Sequence, residues 1–299
     1  MKEIIVVAGA TGNLGERITR ALLKQGAEVR AIVRNGTDLH KKNHLEQLGA
    51  KVFEVDMSKV NEVAKVCSGV SCVVSALAGL HDVVIDTQRV LLDASVRAGV
   101  PRFIPSDYSL DFTKFPEGTN RNLDWRREFH TYLDKAPIKA TSIYCGGFMD
   151  MLTGQMPMIM FKQKLVMYWG NAEHPLGFTS VADTATYTAH AALDPDAPRS
   201  LWIAGDQPSA IDIKTIMTEL TGKKFRLFRS GGQGFLNMLI KIIRKMAPGE
   251  NELYPAWQGM QYMSNMIDEK SKLGRIDNDR YPGMKWTTAR ELLAAHLTG

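Results

Sequence analysis

Three glycines, Gly9, Gly12 and Gly15, stand three residues apart between an apolar run, Ile4 to Ala8, and an amphipathic run, Arg17 to Leu23, that ends before Gly26. An uninterrupted apolar, β-branched run suits a strand buried on both faces of a parallel sheet. The glycines then divide three tasks: a tight turn, a close approach of backbone to a pyrophosphate, and close packing of helix on strand. The first turn of the helix offers free N–H groups and a positive dipole end to phosphates. The spacing is Gly-x-x-Gly-x-x-Gly, not the common Gly-x-Gly-x-x-Gly, but its place between a buried strand and a helix reads as a dinucleotide site. Thr11, Asn13 and Leu14 fall within the same turn.

The pattern that follows is a regular alternation. Strands are predicted at 28–33, 51–55, 71–75, 101–104 and 139–144, with helices between them, including a long one over 82–98 and another over 122–133. Such alternation is the mark of a doubly wound parallel sheet, here a Rossmann-like α/β fold. Residues 1–150, with 176–205 returning to them, are expected to form the cofactor domain. Residues 151–299 are expected to form a smaller substrate-binding region.

The end of the second predicted strand bears on which cofactor binds. An acidic residue there holds the ribose 2′-hydroxyl of NAD. No Asp or Glu occurs between Ala31 and Thr37, and the strand ends at Arg34. A guanidinium suits a 2′-phosphate, so NADP is the expected cofactor; the alternative is a solvated strand-end arginine. Asp56 and Met57 follow the third strand, where adenine would lie. Ala76 and Leu77 follow the fourth, where small residues let the backbone approach the cofactor. Ligands of such sheets sit outside the carboxyl ends of the strands. That singles out Ser106, Asp107 and Tyr108, directly after the fifth.

Composition narrows the function classes. The formal charge of +5 fits an anionic cofactor, and no concentrated basic patch interleaved with aromatics argues for nucleic acid. No run of about 18 uncharged apolar residues argues for a membrane span, and the N-terminal apolar run reads as a strand, not a signal peptide. Three cysteines, Cys67, Cys72 and Cys145, lack metal spacing and fit a reducing cytoplasm. His40 and His44 share a zinc-like spacing but lack a third ligand, so no metal is expected. A small-molecule substrate and a monomer or homodimer complete the expected partners.

Several motifs resemble the NmrA-like and isoflavone-reductase-like branch of the atypical short-chain dehydrogenases. They are Gly9-Ala-Thr-Gly-Asn-Leu-Gly15, Arg34, Ser75-Ala-Leu77, Val100-Pro-Arg-Phe-Ile-Pro-Ser-Asp-Tyr108 and Ile138-Lys-Ala-Thr-Ser-Ile-Tyr-Cys-Gly-Gly-Phe148. The likeness is good over the first half and diffuse after it. It implies NADPH-dependent reduction of a small, largely apolar carbonyl, enone, quinone or related electrophile. A non-catalytic NADP(H)-sensing regulator of the NmrA type is the alternative. Plant reductases of this family carry a lysine about a dozen residues before the isoleucine matched by Ile138, and counting back reaches Arg126. Arginine anchors an anion but is a poor proton donor. Tyr108 is therefore the preferred donor, with a packed loop tyrosine as the alternative, and Ser106 is a further catalytic candidate.

Later segments say less. Met149, Met151, Met156, Met158 and Met160 suit a lid over an apolar ligand or a methionine-rich core. Residues 201–204 are expected as another strand of the main sheet, and 224–228 as an exposed strand. The basic amphipathic helix from Phe235 to Lys245 reads as a cleft wall or dimer contact ahead of a membrane-surface element. Tyr281 and Lys285 imitate a catalytic Tyr-x-x-x-Lys pair, but Pro282-Gly283 breaks the helix that pair requires.

Overall fold

The computed structural model describes residues 2–298. The chain opens as β1 (Ile4–Ala8), α1 (Asn13–Lys24), β2 (Glu28–Arg34), α2 (Leu39–Gln47), β3 (Lys51–Val55), α3 (Val60–Val66) and β4 (Cys72–Ser75). A π-helical stretch, Asp82–Thr87, then runs into α4 (Gln88–Arg97), followed by β5 (Arg102–Ile104), α5 (Arg121–Leu133), β6 (Lys139–Ala140) and β7 (Ser142–Tyr144). Six strands form one sheet in the order β3-β2-β1-β4-β5-β6, with every pairing parallel. The order reverses between β1 and β4, as in a doubly wound Rossmann sheet.

Burial explains why these runs are strands. Ile5, Val6, Val7 and Ala8 are fully buried, as are Cys72, Val73 and Val74 beside them. Val6, Ala8 and Val73 share one buried cluster with Leu91 and Leu92 of α4, and Ile18 and Leu22 of α1 are fully buried as well. Arg102 is buried too, and it donates from Nη2 and Nη1 to the carbonyl oxygens of Ala191 and Ala192, at 2.7 and 3.1 Å. A cation thus satisfies the last carbonyls of a helix, where the dipole favours it.

The chain continues through β8 (Gly147–Phe148), β9 (Ile159–Met160), β10 (Leu165–Trp169), β11 (Phe178–Thr179), α6 (Val181–Leu193) and β12 (Ser200–Trp202). It closes with α7 (Ala210–Thr221), β13 (Arg226–Gly231), α8 (Gln233–Met246), α9 (Ala256–Met266) and α10 (Ala289–Thr298). Residues 201–204 were expected inside the main sheet. Instead β12 pairs with β7 as a two-stranded sheet. The reason lies in one strand path: Thr141 N–H bonds Phe103 O on one side, and Ser142 N–H bonds Arg199 O on the other.

Two compact units share the chain. The first comprises residues 1–108, 125–144 and 184–201; the second comprises 109–124, 145–183 and 202–299. The second is about as long as the first. Residues 109–124, expected with the cofactor domain, belong to the second unit. Side-chain bonds explain this: Asn120 Nδ2 donates to Asn265 Oδ1 at 3.0 Å, and Arg121 Nη2 donates to the carbonyls of Glu252 and Leu253.

Within the second unit β10 lies between β9, antiparallel, and β13, parallel. Leu236 and Ile240 of α8 pack on Trp257 of α9. Ser209 and Asp212 form a capping box at the start of α7. Met149, Met156 and Met158 are buried, which makes the methionine segment part of the core there. Among the described residues no helix is long and apolar enough to cross a membrane.

Candidate functional site

All the residues expected to hold the cofactor lie in the first unit. Gly9 has a left-handed backbone, φ +82°, and a Cβ placed on it would lie 2.5 Å from Ala76 O. A Cβ on Gly15 would lie 2.1 Å from Gly9 O. Both distances are far below van der Waals contact, so the turn and the start of α1 close only with glycine at these positions. Gly12 N–H bonds Gly9 O at 3.0 Å, and Gly12 is the residue at which α1 begins, with no side chain capping the helix. The N–H groups of that first turn are the donors a pyrophosphate requires. Thr11 and Leu14 are half-buried and Asn13 is exposed; the Asn13 carboxamide oxygen accepts from Arg17 Nε at 2.9 Å.

Arg34 ends β2 and borders a cavity of about 370 Å³. The cavity is lined also by Asn35, Val55, Asp56, Met57, Ser58, Asp86, Thr87 and Val90. The expected adenine residues, Asp56 and Met57, therefore meet Arg34 around one space. Asp56 accepts from Ser58 N–H at 2.9 Å and Ser58 Oγ at 2.6 Å, and these bonds hold its carboxyl below the usual range. Met57 is buried and lines the cavity with Val55 and Val90. The π-helical stretch contributes Asp86 and Thr87, which sequence periodicity did not single out. The glycine turn, the uncapped helix and the arginine-bordered cavity fit a dinucleotide carrying a 2′-phosphate.

At the end of β5 the structure separates the three neighbours. Ser106 Oγ donates to Leu77 O at 2.7 Å, and Ser106 N–H donates to Gln88 Oε1 at 2.9 Å. Its hydroxyl proton is engaged, so Ser106 joins the ends of β4 and β5 to α4. Ala76 N–H in turn bonds Ala8 O at 2.8 Å, which sets Ala76 and Leu77 against the glycine turn. Arg126 of α5 donates from Nε to Ser106 O at 3.2 Å, bringing the guanidinium to this strand end. Tyr108 is buried, and its hydroxyl oxygen is enclosed.

Asp107 is 1% exposed, and its Oδ2 lies 2.7 Å from His130 Nε2. Arg199 Nη2 approaches His130 Nδ1 at 3.1 Å and donates to Asp134 Oδ1 at 2.8 Å, while Nη1 donates to Ser142 Oγ at 2.7 Å. A guanidinium only donates, so His130 Nδ1 accepts and the ring proton sits on Nε2, facing Asp107. Burial pushes the Asp107 carboxyl up, but the attraction and hydrogen bond of His130, the Ser142 bond and the Arg126 charge outweigh it and leave the group below its usual range. Nothing in the sequence pattern singled out His130. Its spacing of four from Arg126 on one helix was the available signal.

The remaining candidates fall elsewhere. His44 Nε2 lies 3.1 Å from Glu16 Oε1, and among the described residues no cluster has the make-up of a metal site. Lys285 pairs with Glu291 Oε1 at 3.1 Å, outside any helix. Burial raises the Cys67 thiol to about 11 and the Cys72 thiol to about 12, so neither is a nucleophile at neutral pH.

The family of the chain follows from sequence comparison. The model of the NmrA-like family matches residues 1–282. The chain belongs to the NmrA-like family. Among curated relatives, pinoresinol reductase 1 of Arabidopsis thaliana is 28% identical, with 99% of this chain and 98% of that protein aligned. The photosystem II assembly factor Ycf39 of Cyanophora paradoxa is 27% identical over 62% of this chain and 57% of its own length. A crystal structure of isoflavone reductase superposes with a TM-score of 0.82 at 20% identity, covering 99% of both chains, and so shares the fold. The sequence expectation of an NmrA-like, isoflavone-reductase-like chain holds.

Proposed function

We propose that this protein, an NADP-dependent reductase, reduces a small, largely apolar carbonyl, enone, quinone or related electrophile. The observation that carries the reading is the joining of an NADP-shaped site to a polar strand end. Gly9 to Gly15 and Arg34 supply the first, and Ser106, Asp107, Tyr108 and Arg126 the second. A full-length relative named as a reductase, pinoresinol reductase 1, supports it.

NADPH, when bound, supplies the hydride. The rest falls to the chain's own residues. The N–H groups at the start of α1 hold the pyrophosphate, and Arg34 holds the 2′-phosphate through charge-assisted bonds. The bond from Arg126 Nε to Ser106 O leaves a cation beside the strand end, where it serves to stabilise negative charge developing on a substrate oxygen. Asp107 and His130 lie behind that strand end and set its shape. Tyr108 is the proposed proton donor, since its phenol carries a transferable O–H. The role requires its enclosed hydroxyl to be uncovered when substrate binds.

The experiment follows NADPH oxidation across quinones, enones, aldehydes and imines. Turnover of at least one class supports the reading. Tight NADPH binding with no turnover on any class would favour the second reading, a non-catalytic cofactor-sensing protein.

A further inference from the structure

The turn that presents Arg34 is tied to a neighbouring acid. Residues 34–37 leave the end of β2, with Thr37 Oγ1 donating to Arg34 O at 2.6 Å and Gly36 in the left-handed region at φ +75°. β3 runs parallel to β2, with Val33 opposite Glu54 and Arg34 opposite Val55. From that position Glu54 Oε1 accepts Gly36 N–H at 2.7 Å, and Oε2 accepts Lys42 Nζ of α2, also at 2.7 Å. One carboxylate thus joins the Arg34 turn, β3 and α2.

An acid near the end of β2 is the device by which NAD sites bind ribose hydroxyls and repel a 2′-phosphate. This chain has no acid on the turn but does have one on the adjacent strand, with both oxygens engaged. The hydrogen bond from Lys42, and then that from Gly36 N–H, hold the Glu54 carboxyl below its usual range, so it carries its negative charge beside the Arg34 turn.

We infer that Lys42 and Glu54 act as a cofactor-specificity pair, in which Lys42 neutralises the acid beside the Arg34 turn and so permits binding of the 2′-phosphate. Lys42 acts through Glu54 and is a positioning residue, as is Glu54 through the Gly36 N–H. Removing the cation alone exposes a carboxylate to the phosphate; removing both charges takes the repulsion away again. The inference rests on NADP binding at this cavity and not on the substrate class, so it stands or falls without any turnover assay.

The test is calorimetric titration of NADP⁺ and NAD⁺ into the wild type, Lys42→Met and the double variant Lys42→Met/Glu54→Gln. Gln at 54 keeps an oxygen for Gly36 N–H, and NAD⁺ affinity reports that the site is still folded. The expected result for Lys42→Met is a loss of about fivefold or more in NADP⁺ affinity, with NAD⁺ held within about twofold. The double variant recovers most of the NADP⁺ affinity. Three results would overturn the inference. A loss that Glu54→Gln does not recover makes Lys42 itself the phosphate ligand. Equal losses for both cofactors make the pair a fold element. No loss at all makes it a surface ion pair.

Discussion

The Nε2 of His130 and the Oδ2 of Asp107 lie 2.7 Å apart, with the Asp107 side chain 1% exposed and that of His130 11% exposed. Arg199 meets the far side of the ring, so the imidazole is held between a guanidinium and a carboxylate. Asp107 lies between Ser106 and Tyr108 in sequence, and the pair joins the helix carrying Arg126 to the strand end that Arg126 reaches.

A buried carboxylate held this way makes stability depend on pH. The folded pKa of Asp107 lies below its unfolded value of about 3.9, so its contribution is fully present above that value and is lost as pH falls through the folded pKa. Asp107→Asn is expected to cost about 1.5–3 kcal/mol, because it removes the charge from a buried carboxylate that accepts the His130 Nε2–H bond. Urea unfolding at pH steps from neutral to acid checks both statements: the variant should show a smaller acid dependence than the wild type. Parallel pH profiles would assign the acid sensitivity to other carboxylates.

Arg34→Ala should lower NADP⁺ affinity by about ten- to a hundredfold while sparing NAD⁺, since it deletes a charge-assisted contact of roughly 1.5–3 kcal/mol. Titration of both cofactors gives the ratio directly. An unchanged ratio would reduce Arg34 to a solvated strand end.

The glycine turn makes a graded prediction. A Cβ at Gly15 would sit 2.1 Å from Gly9 O, whereas one at Gly12 would sit 3.3 Å from the same atom. Gly15→Ala should therefore destabilise the fold by about 1–3 kcal/mol and weaken cofactor binding, and Gly12→Ala should cost less stability. Thermal unfolding with and without NADPH ranks the two.

At the reacting end, Arg126→Gln should lower kcat by about a hundredfold if its cation stabilises developing charge. Tyr108→Phe should lower turnover at least about tenfold with NADPH affinity kept, as expected for a lost proton donor. Unchanged turnover in Tyr108→Phe would leave the proton to water and the tyrosine to packing.

Much of the first unit was legible because burial and periodicity coincide there. The runs at 4–8, 51–55 and 101–104 are apolar or alternating enough to declare themselves strands, and a Cβ at Gly9 or Gly15 would crowd backbone atoms. The helix begun at Asp82 was legible as a helix but not as a π-helical opening, which depends on how its turns settle on the sheet. The residues at 109–124 read as part of the cofactor domain because nothing local shows that Asn120 and Arg121 bind partners more than 130 residues away. For the same reason the Asp107–His130 pair was invisible. It joins a strand end to a helix, and no periodic signal carries a contact between two polar side chains 23 positions apart.

The central claim is hydride transfer from NADPH to a small electrophile, and the most direct measurement follows the label. The protein is incubated with NADPH deuterated at the transferable position of the nicotinamide ring and with the acceptor that consumes NADPH fastest, and the product is analysed by mass spectrometry and NMR. With an enone, aldehyde or imine acceptor the account predicts deuterium on one carbon of the product, from one face of the nicotinamide only, and loss of that transfer in Gly15→Ala. Saturable NADPH binding with no deuterium delivered to any acceptor class would contradict it.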